Sequence, residues 1–410
     1  MNNKIKLAVA GAVLASASVA NAGITWDAGE WTVDMNGNVN AFAVFNDNKD
    51  SSAAIAGGLA TTNSGDNDSN STAIQTGLLP SWLGFTATTR QNDIDTSVTI
   101  SFQPNGGGGT ENRLAFLTFG DKSWGSVKMG KDLGIFGSTA ILNDMTLLGV
   151  GAASNGQVGN GAVGTTGTTT TLGGIGTGYI YADWKGQFAY TTPNMNGFVA
   201  TVGITQPWNA TSSNNGATPA VNSSATSAGT TDQPAFEAQA SYSWTGDFAG
   251  KAWVGGFYQE VTGITGSVST SQDAEAYEAG VSATVMNIGL TAYAYSGDGV
   301  GTTGMLLNAF DATGASRDSD GGYLQATYVI PMGTKLGVSY GVSKLDDNAA
   351  DAAVNLVKEN NRITIGAYHP LTKHLNLVAE FSAVESEAQN SAVQADAKQD
   401  IFSVGAILFF

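Results

Sequence analysis

Short stretches of alternating apolar and polar residues recur along most of this chain. The alternation is clearest in residues 31–41, 93–103 and 236–244. In the last of these, Phe236, Ala238, Ala240, Tyr242 and Trp244 alternate with Glu237, Gln239, Ser241 and Ser243. A two-residue period predicts β-strands with two chemically different faces. No comparable stretch follows the 3.6-residue period of a helix, so the chain is expected to be all-β.

Sixteen such stretches predict about sixteen strands. They cover residues 31–45, 81–90, 93–103, 113–120, 125–131, 179–191, 197–205, 234–245, 251–262, 275–286, 288–297, 321–330, 334–344, 360–369, 374–386 and 400–410. An even number in this range is typical of the transmembrane antiparallel β-barrels of bacterial outer membranes.

The connections between these strands alternate in length. Those after even-numbered strands are short and rich in Pro, Asn, Asp and Gly, as tight turns require. Most of those after odd-numbered strands are longer, and the extremes are 46–80, 132–178, 206–233 and 298–320. A barrel with short periplasmic turns and long external loops has this asymmetry. In such a barrel, polar phases line a wet lumen, apolar phases face lipid, and Trp31, Trp124, Trp244 and Phe248 fall where aromatic girdles lie.

The first residues have the features of a targeting segment. Met1–Lys6 carries two lysines, residues 7–20 are mostly apolar, and Ala20-Asn21-Ala22 has the small-x-small form of a cleavage site. The pattern predicts a cleaved signal peptide at 1–22 and a barrel domain at 23–410. Nothing later in the chain offers the ~18 consecutive apolar residues that a spanning helix needs.

Composition excludes several classes of function. The 410 residues include no cysteine and only two histidines, His369 and His374, so thiolate chemistry, iron–sulfur clusters and cysteine–zinc sites are excluded. The 34 acidic residues outnumber 17 basic ones, a balance that repels nucleic acid. We therefore expect no catalytic residue, no cofactor and no metal site.

The last strand, 401–410, resembles the terminal strand of Gram-negative outer-membrane proteins. It alternates hydrophobic residues and ends on Phe410. The resemblance implies recognition by the barrel assembly machinery and a location in the outer membrane, among its lipid and lipopolysaccharide.

Three patches are similar to a more specific family, the Gram-negative trimeric porins. Residues 114–120 and 124–132 resemble the fourth and fifth strands of that family. Residues 190–198 resemble its next hairpin, which reads tyrosine, two small residues, proline, asparagine, two variable residues, glycine and phenylalanine. The resemblance implies a sixteen-stranded barrel, a homotrimer, and passage of small hydrophilic solutes.

In that family the third external loop folds into the lumen, and its acidic residues face basic residues on the wall. The resemblance assigns this pore constriction to Asp132 and Asp144 on the acidic side and to Lys128 and Lys185 on the basic side. The first part of the loop supports the inward fold, because an apolar loop is better buried on an inner wall than exposed. Its apolar residues are Ile135, Phe136, Ile141, Leu142, Leu147, Leu148 and Val150. The first strand departs from the family. Where the family often has a basic residue that points into the lumen, this strand carries Asp34, Asn36, Asn38 and Asn40.

Net charge predicts the ion preference. Without Lys4 and Lys6, 15 basic residues oppose 34 acidic ones, a net charge of −19. Such a field concentrates cations at the pore, and salt screens it. We therefore expect a passive, mildly cation-preferring diffusion channel. Three alternatives remain open: a substrate-selective channel with an aromatic track, a secreted all-β adhesin or surface protein, and a barrel enzyme.

Overall fold

The computed structural model describes ten segments of the chain. They are residues 23–49, 55–60, 70–104, 110–150, 177–208, 233–262, 271–311, 313–351, 355–390 and 396–410. The signal peptide expected at 1–22 lies outside them. In these segments no helix is both long and apolar enough to cross a bilayer.

Nineteen strands make up nearly all of the described structure. Their bounds are β1 Ile24–Ala28, β2 Trp31–Asn48, β3 Asn70–Gln75, β4 Trp82–Gln91, β5 Ile94–Pro104, β6 Thr110–Glu111, β7 Ala115–Asp121, β8 Gly125–Leu133, β9 Trp184–Thr191, β10 Phe198–Thr205, β11 Ala235–Trp244, β12 Phe248–Thr262, β13 Ser271–Val285, β14 Ile288–Asp298, β15 Asp318–Val329, β16 Lys335–Leu345, β17 Val357–Pro370, β18 Leu375–Ala388 and β19 Ala397–Phe409. One helix, α1, spans Ser138–Asn143, and 3₁₀ turns follow at Met145–Leu148 and Ala349–Asp351.

Sixteen of these strands form a closed antiparallel barrel. Each wall strand pairs with the next, and β19 pairs with β2 from Phe409↔Asn38 to Gln399↔Asn48, which completes the ring. The short strands β1 and β3 pair with the two ends of β2, and β6 pairs with the end of β5. The predicted fold class and strand number are confirmed. Closure matters because it leaves no wall edge unpaired in lipid.

One strand boundary was predicted wrongly. The stretch 179–191 was expected to be a single strand, but β9 begins only at Trp184. The apolar residues Tyr179, Ile180 and Tyr181 belong to the preceding loop and are buried inside the barrel. A buried loop segment therefore has the same apolar pattern as the start of a strand.

The two faces of the wall differ as the alternation predicts. On β11, Phe236 and Tyr242 point outward with exposed fractions of 44% and 51%, whereas Glu237 points inward. Aromatic residues cluster beside the short turns, where Tyr242 stacks with Trp244 at a ring-centroid distance of 6.3 Å and Trp244 contacts Phe248 at 6.1 Å. Such residues suit the membrane–water interface.

Much of the inner wall is covered by loop segments rather than water. Residues 55–60, 134–150, 177–183 and 299–311 contribute to two hydrophobic clusters that also contain inward-facing wall residues. The larger cluster includes Phe136 and Ile141 of the loop with Trp253 and Phe257 of β12. The barrel therefore encloses a packed core on one side, which narrows the space left for water.

Candidate functional site: the lumen and its third loop

The segment between β8 and β9, residues 134–183, is the third loop. Its described parts, 134–150 and 177–183, lie against the inner faces of strands from β10 to β18. Tyr323 of β15 donates a hydrogen bond to the Ala140 carbonyl at 2.8 Å, and the Met145 amide donates to Gln325 Oε1 at 2.6 Å. The predicted inward fold and apolar packing are confirmed for these residues, whereas 151–176 lie outside the described segments.

Glu237 of β11 fixes the base of this loop. Its Oε2 accepts the backbone amides of Ile135 at 2.6 Å and Phe136 at 2.9 Å. Its Oε1 accepts the Thr205 hydroxyl at 2.9 Å and forms an ion pair with Lys185. The side chains of both ion-pair partners are almost fully buried, with exposed fractions of 0% for Glu237 and 3% for Lys185. The sequence predicted a wet position for Glu237, but the loop covers it.

Two further wall carboxylates hold the loop in the same way. Glu278 Oε2 accepts the Gly137 amide at 3.1 Å and the Tyr293 hydroxyl at 2.8 Å. Glu380 accepts the Val150 amide at 2.8 Å and the Tyr368 hydroxyl at 2.7 Å. Each carboxylate thus satisfies loop amides that would otherwise be buried without a partner, and charge-assisted bonds of this kind are strong.

Glycines of the wall make room for the loop. A Cβ at Gly203 of β10 would lie 2.7 Å from Ile135 Cδ1, and one at Gly337 of β16 would lie 2.4 Å from Met145 Sδ. Both approaches are closer than a methyl group allows. The loop therefore rests directly on backbone at these two positions.

We expect Gly337→Val to displace the part of the third loop around Met145 away from the wall and toward the lumen. The new side chain overlaps Met145, and forced overpacking costs about 1–3 kcal/mol. Single-channel conductance should fall, and the double variant Gly337→Val/Met145→Ala should restore most of it. Unchanged conductance in the single variant would show that the contact between Met145 and Gly337 does not set the position of this part of the loop.

Asp144, predicted as an acidic constriction residue, is engaged by its own loop. Its Oδ1 accepts the Thr146 amide at 2.9 Å and hydroxyl at 2.8 Å, and its Oδ2 accepts the Tyr179 hydroxyl at 3.2 Å. Burial and the nearby Asp144 carboxylate raise the pKa of Tyr179 well above its usual value, so the phenol stays protonated and donates. Asp144 therefore caps the 3₁₀ turn that starts at Met145.

A small polar cavity separates this part of the loop from β17. Its volume of about 20 Å³ matches one water molecule. Asp144 and Arg362 both line it, together with Tyr179, Ser339 and Thr364. Arg362 Nε donates to Thr364 at 2.9 Å, while its Nη1 has no protein partner in the described segments.

The remaining predicted constriction residues lie on the paired strands β8 and β9. Lys128 of β8 pairs with Asp132 of the same strand, and a fifth of its side chain is exposed on the inner face. Lys185 is buried beside the rings of Trp208 and Phe257, 5.2 and 5.8 Å from their centroids. The structure thus brings Lys128 and Asp132 together and places Lys185 directly opposite Asp132, whereas Asp144 lies within the loop itself.

Sequence reasoning did not single out Glu278, Glu380 or Arg362. Each is a charged residue at an inward position of a wall strand. They fall among the polar, inward-facing positions of the predicted strands 275–286, 360–369 and 374–386, and this was the only sequence feature that could have identified them. In the described segments, no group of three or more His, Asp or Glu residues could hold a metal ion.

The sequence and the fold match known proteins. The family model described as Gram-negative porin matches residues 8–389. Solved structures with the same fold include the outer membrane channel DcaP of Acinetobacter baumannii (TM-score 0.65, 15% identity, covering 95% of this chain and 100% of that chain). An anion-selective porin from Comamonas acidovorans has a TM-score of 0.62 and 15% identity, covering 93% of this chain and 100% of that one.

A third structure, Salmonella typhi OmpF in complex with daunomycin, has a TM-score of 0.56 and 15% identity, covering 94% of this chain and 100% of that one. At this identity the structural matches show the fold alone. No curated protein sequence matches the chain significantly. The closed sixteen-strand wall, its inward third loop and the family match over most of the sequence lead to one conclusion: the chain belongs to the Gram-negative porins, the diffusion channels of the outer membrane.

Proposed function

We propose that this barrel passes small hydrophilic solutes and ions passively, with a mild preference for cations. The observation that carries the proposal is a closed wall whose inner loop covers one side and leaves polar residues of the other side in contact with solvent. Four polar residues are partly exposed on this inner face: Thr86, Thr88 and Thr99 of β4 and β5, and Lys128 of β8. A wall of sixteen strands encloses an aqueous channel rather than a packed interior.

The preference for cations follows from where the acids lie. Six carboxylates stand near the external ends of β12 to β15: Glu260, Asp273, Glu275, Asp298, Asp318 and Asp320. A negative rim raises the local cation concentration at low salt, and the effect falls with screening.

The test is conductance of the detergent-purified protein in a planar bilayer under a KCl gradient. We expect stable steps, closure in groups of three, and a low-salt reversal potential that favours K⁺ and shrinks as salt rises. A reversal potential that favours chloride would contradict the predicted cation preference. Absence of conductance from correctly folded protein would contradict the channel function.

We further infer a homotrimer, set among outer-membrane lipid and lipopolysaccharide, whose signal peptide is cleaved before Gly23. The last strand, β19, together with Phe410 directly after it, is the proposed contact for the barrel assembly machinery. At the constriction, Lys128 acts at the lumen surface, and the buried Asp132 holds its ammonium group. Asp144 and Lys185 act by holding the loop that narrows the lumen.

The substrate-selective alternative predicts aromatic side chains along the solute path. Trp253, Tyr293 and Tyr323 do form a row, with ring-centroid distances of 6.3 and 5.6 Å. All three are buried, however, and Tyr323 bonds the loop backbone. The three aromatic side chains therefore pack against the third loop and do not line a path for solutes. The diffusion channel remains the better proposal.

A further inference from the structure

We propose that the small cavity between the third loop and β17 binds one ordered water molecule, which links Arg362 of the wall to both described parts of the loop. The cavity volume of about 20 Å³ has room for one water. Asp144 and Thr146 line it from the first part of the loop, and Thr177 and Tyr179 line it from the second. The site gives Arg362 a role in positioning the loop.

Two inward residue pairs of the wall form the floor of the cavity. Gly341 and Ser339 of β16 lie directly opposite Arg362 and Thr364 of β17, and all four line the space. Gly341 lets the loop backbone come close, because a Cβ at this position would lie 2.7 Å from the Thr177 carbonyl oxygen. Wall and loop thus bound the cavity on opposite sides.

Two buried polar groups at the cavity have no partner in the described segments. They are Nη1 of Arg362 and the hydroxyl of Thr177, whose residues have exposed fractions of 3% and 4%. The other nitrogens of Arg362 donate to hydroxyl groups of β17 and β18, not to carboxylates. Asp144 and Glu380 are the carboxylates close enough to act on its charge. Buried donors without a partner are costly, so both groups call for a bound ligand.

One water satisfies this set of groups. It accepts a hydrogen bond from Arg362 Nη1 and donates to Thr177 Oγ1 and to Asp144 Oδ2. Three bonds are typical of a buried water. Asp144 Oδ2 has the capacity, since it accepts the Tyr179 hydroxyl and a carboxylate oxygen accepts two bonds. An ion of either sign fits less well, because a guanidinium and a carboxylate line the same space.

The water gives the two parts of the loop a shared attachment to the wall. The bond from Tyr179 to Asp144 joins the two parts to each other, and the water joins both of them to β17. Water-mediated bonds of this kind are nearly as favourable in enthalpy as direct ones. Losing the water therefore loosens both parts together.

Thr177→Val tests the water by the sign of its effect. The substitution removes the hydroxyl and changes the shape little. If the hydroxyl has no ligand, its loss removes an unsatisfied buried group and should not speed amide exchange in the loop. If it binds the water, the amides of Gly178 and Thr146 should exchange about fivefold faster. These amides donate to Ser343 and Asp144, one from each part of the loop.

Thr302→Val is the matched control. Its hydroxyl is also buried and has no partner in the described segments, but it does not line the cavity. Exchange at Gly178 and Thr146 should not change in this variant. Unchanged exchange in Thr177→Val as well would overturn the proposal.

A double-mutant cycle tests whether Arg362 and Thr177 share one ligand. Arg362→Met should speed exchange of the same amides on the order of a hundredfold, because Asp144 loses the opposite charge beside it. In this background Thr177→Val should have no further effect, since the water has already lost its main donor. Additive effects would overturn the bridge. If Arg362→Met does not fold, Thr177→Val alone still decides.

A high-resolution crystal structure of the detergent-purified protein identifies the ligand. We expect one density peak within hydrogen-bond distance of Arg362 Nη1, Thr177 Oγ1 and Asp144. An empty cavity would overturn the proposal. So would an anomalous peak at this position in crystals grown in bromide, because the ligand would then be a halide.

The positioning role has its own readout. Open-channel current noise should increase in Thr177→Val and not in Thr302→Val. Faster exchange with unchanged noise would overturn the positioning role and leave the water site. Exchange and crystallography need no conducting channel, so a wild-type protein without conductance would contradict only the proposed function.

Discussion

Glu237→Ala should destabilise the folded barrel by about 3–5 kcal/mol and release the base of the third loop. The substitution leaves the Lys185 ammonium buried without its partner, and breaking a buried ion pair costs about this much. It also removes the acceptor of the Ile135 and Phe136 amides. The ammonium keeps its contacts with the rings of Trp208 and Phe257, which offset only part of the loss.

Two readouts separate loop release from general damage. Thermal unfolding in detergent reports the loss of stability, and open-channel current noise reports movement of the loop. Glu237→Gln should have a smaller effect on the noise, because the amide oxygen still accepts from the loop backbone. Glu275→Ala is the matched control, since that carboxylate is exposed on the outer face. If Glu237→Ala and Glu275→Ala gave equal unfolding midpoints, the role assigned to Glu237 would be wrong.

Arg317→Met should loosen the external mouth while leaving the wall intact. Arg317 donates to both oxygens of Asp351, from Nε at 2.8 Å and from Nη2 at 2.6 Å. Its Nη1 donates to the Asn308 and Phe310 carbonyls at 2.7 and 2.6 Å. Both partners of the ion pair are buried, so methionine leaves Asp351 unpaired and the local free energy of unfolding should fall by about 3–5 kcal/mol.

Hydrogen exchange measures this effect where it occurs. Amides of residues 300–311 should exchange faster in Arg317→Met, whereas those of the wall strands should not change. The double variant Arg317→Met/Asp351→Leu should recover part of the protection, because it leaves no buried charge unpaired, although the Asn308 and Phe310 carbonyls still lack their donor. Arg90→Met is the control: its ion pairs are exposed, and exposed pairs contribute little. Protection lost equally from the wall would contradict a local role.

The wall could be predicted from the sequence because its two environments repeat every two residues. Lipid outside and polar surroundings inside impose the same alternation on each strand, and β5 and β11 show it clearly. The short strands β1, β3 and β6 have too few residues for a period to appear. The segment 179–183 misled prediction because a loop buried inside the barrel is as apolar as a strand.

The candidate site could be predicted only in part. The apolar start of the third loop indicated burial, and the structure agrees for Ile135, Phe136 and Ile141. The residue that each charged side chain contacts could not be predicted from the sequence, because these contacts depend on strand register and on the path of the loop. Lys185 meets Glu237 across 52 positions of sequence, and the Val150 amide meets Glu380 across 230. Such pairs leave no local pattern.

The pairing of β2 with β19 has a consequence for the order of assembly. These strands are joined in register over residues 38–48 and 399–409, at opposite ends of the wall sequence. Until β19 has formed, one row of backbone donors and acceptors of β2 therefore has no partner strand. An unpaired strand with an alternating apolar face is an aggregation hazard. Barrel formation thus depends on protecting β2 from other chains until β19 arrives, and its closing step has the longest sequence separation in the fold.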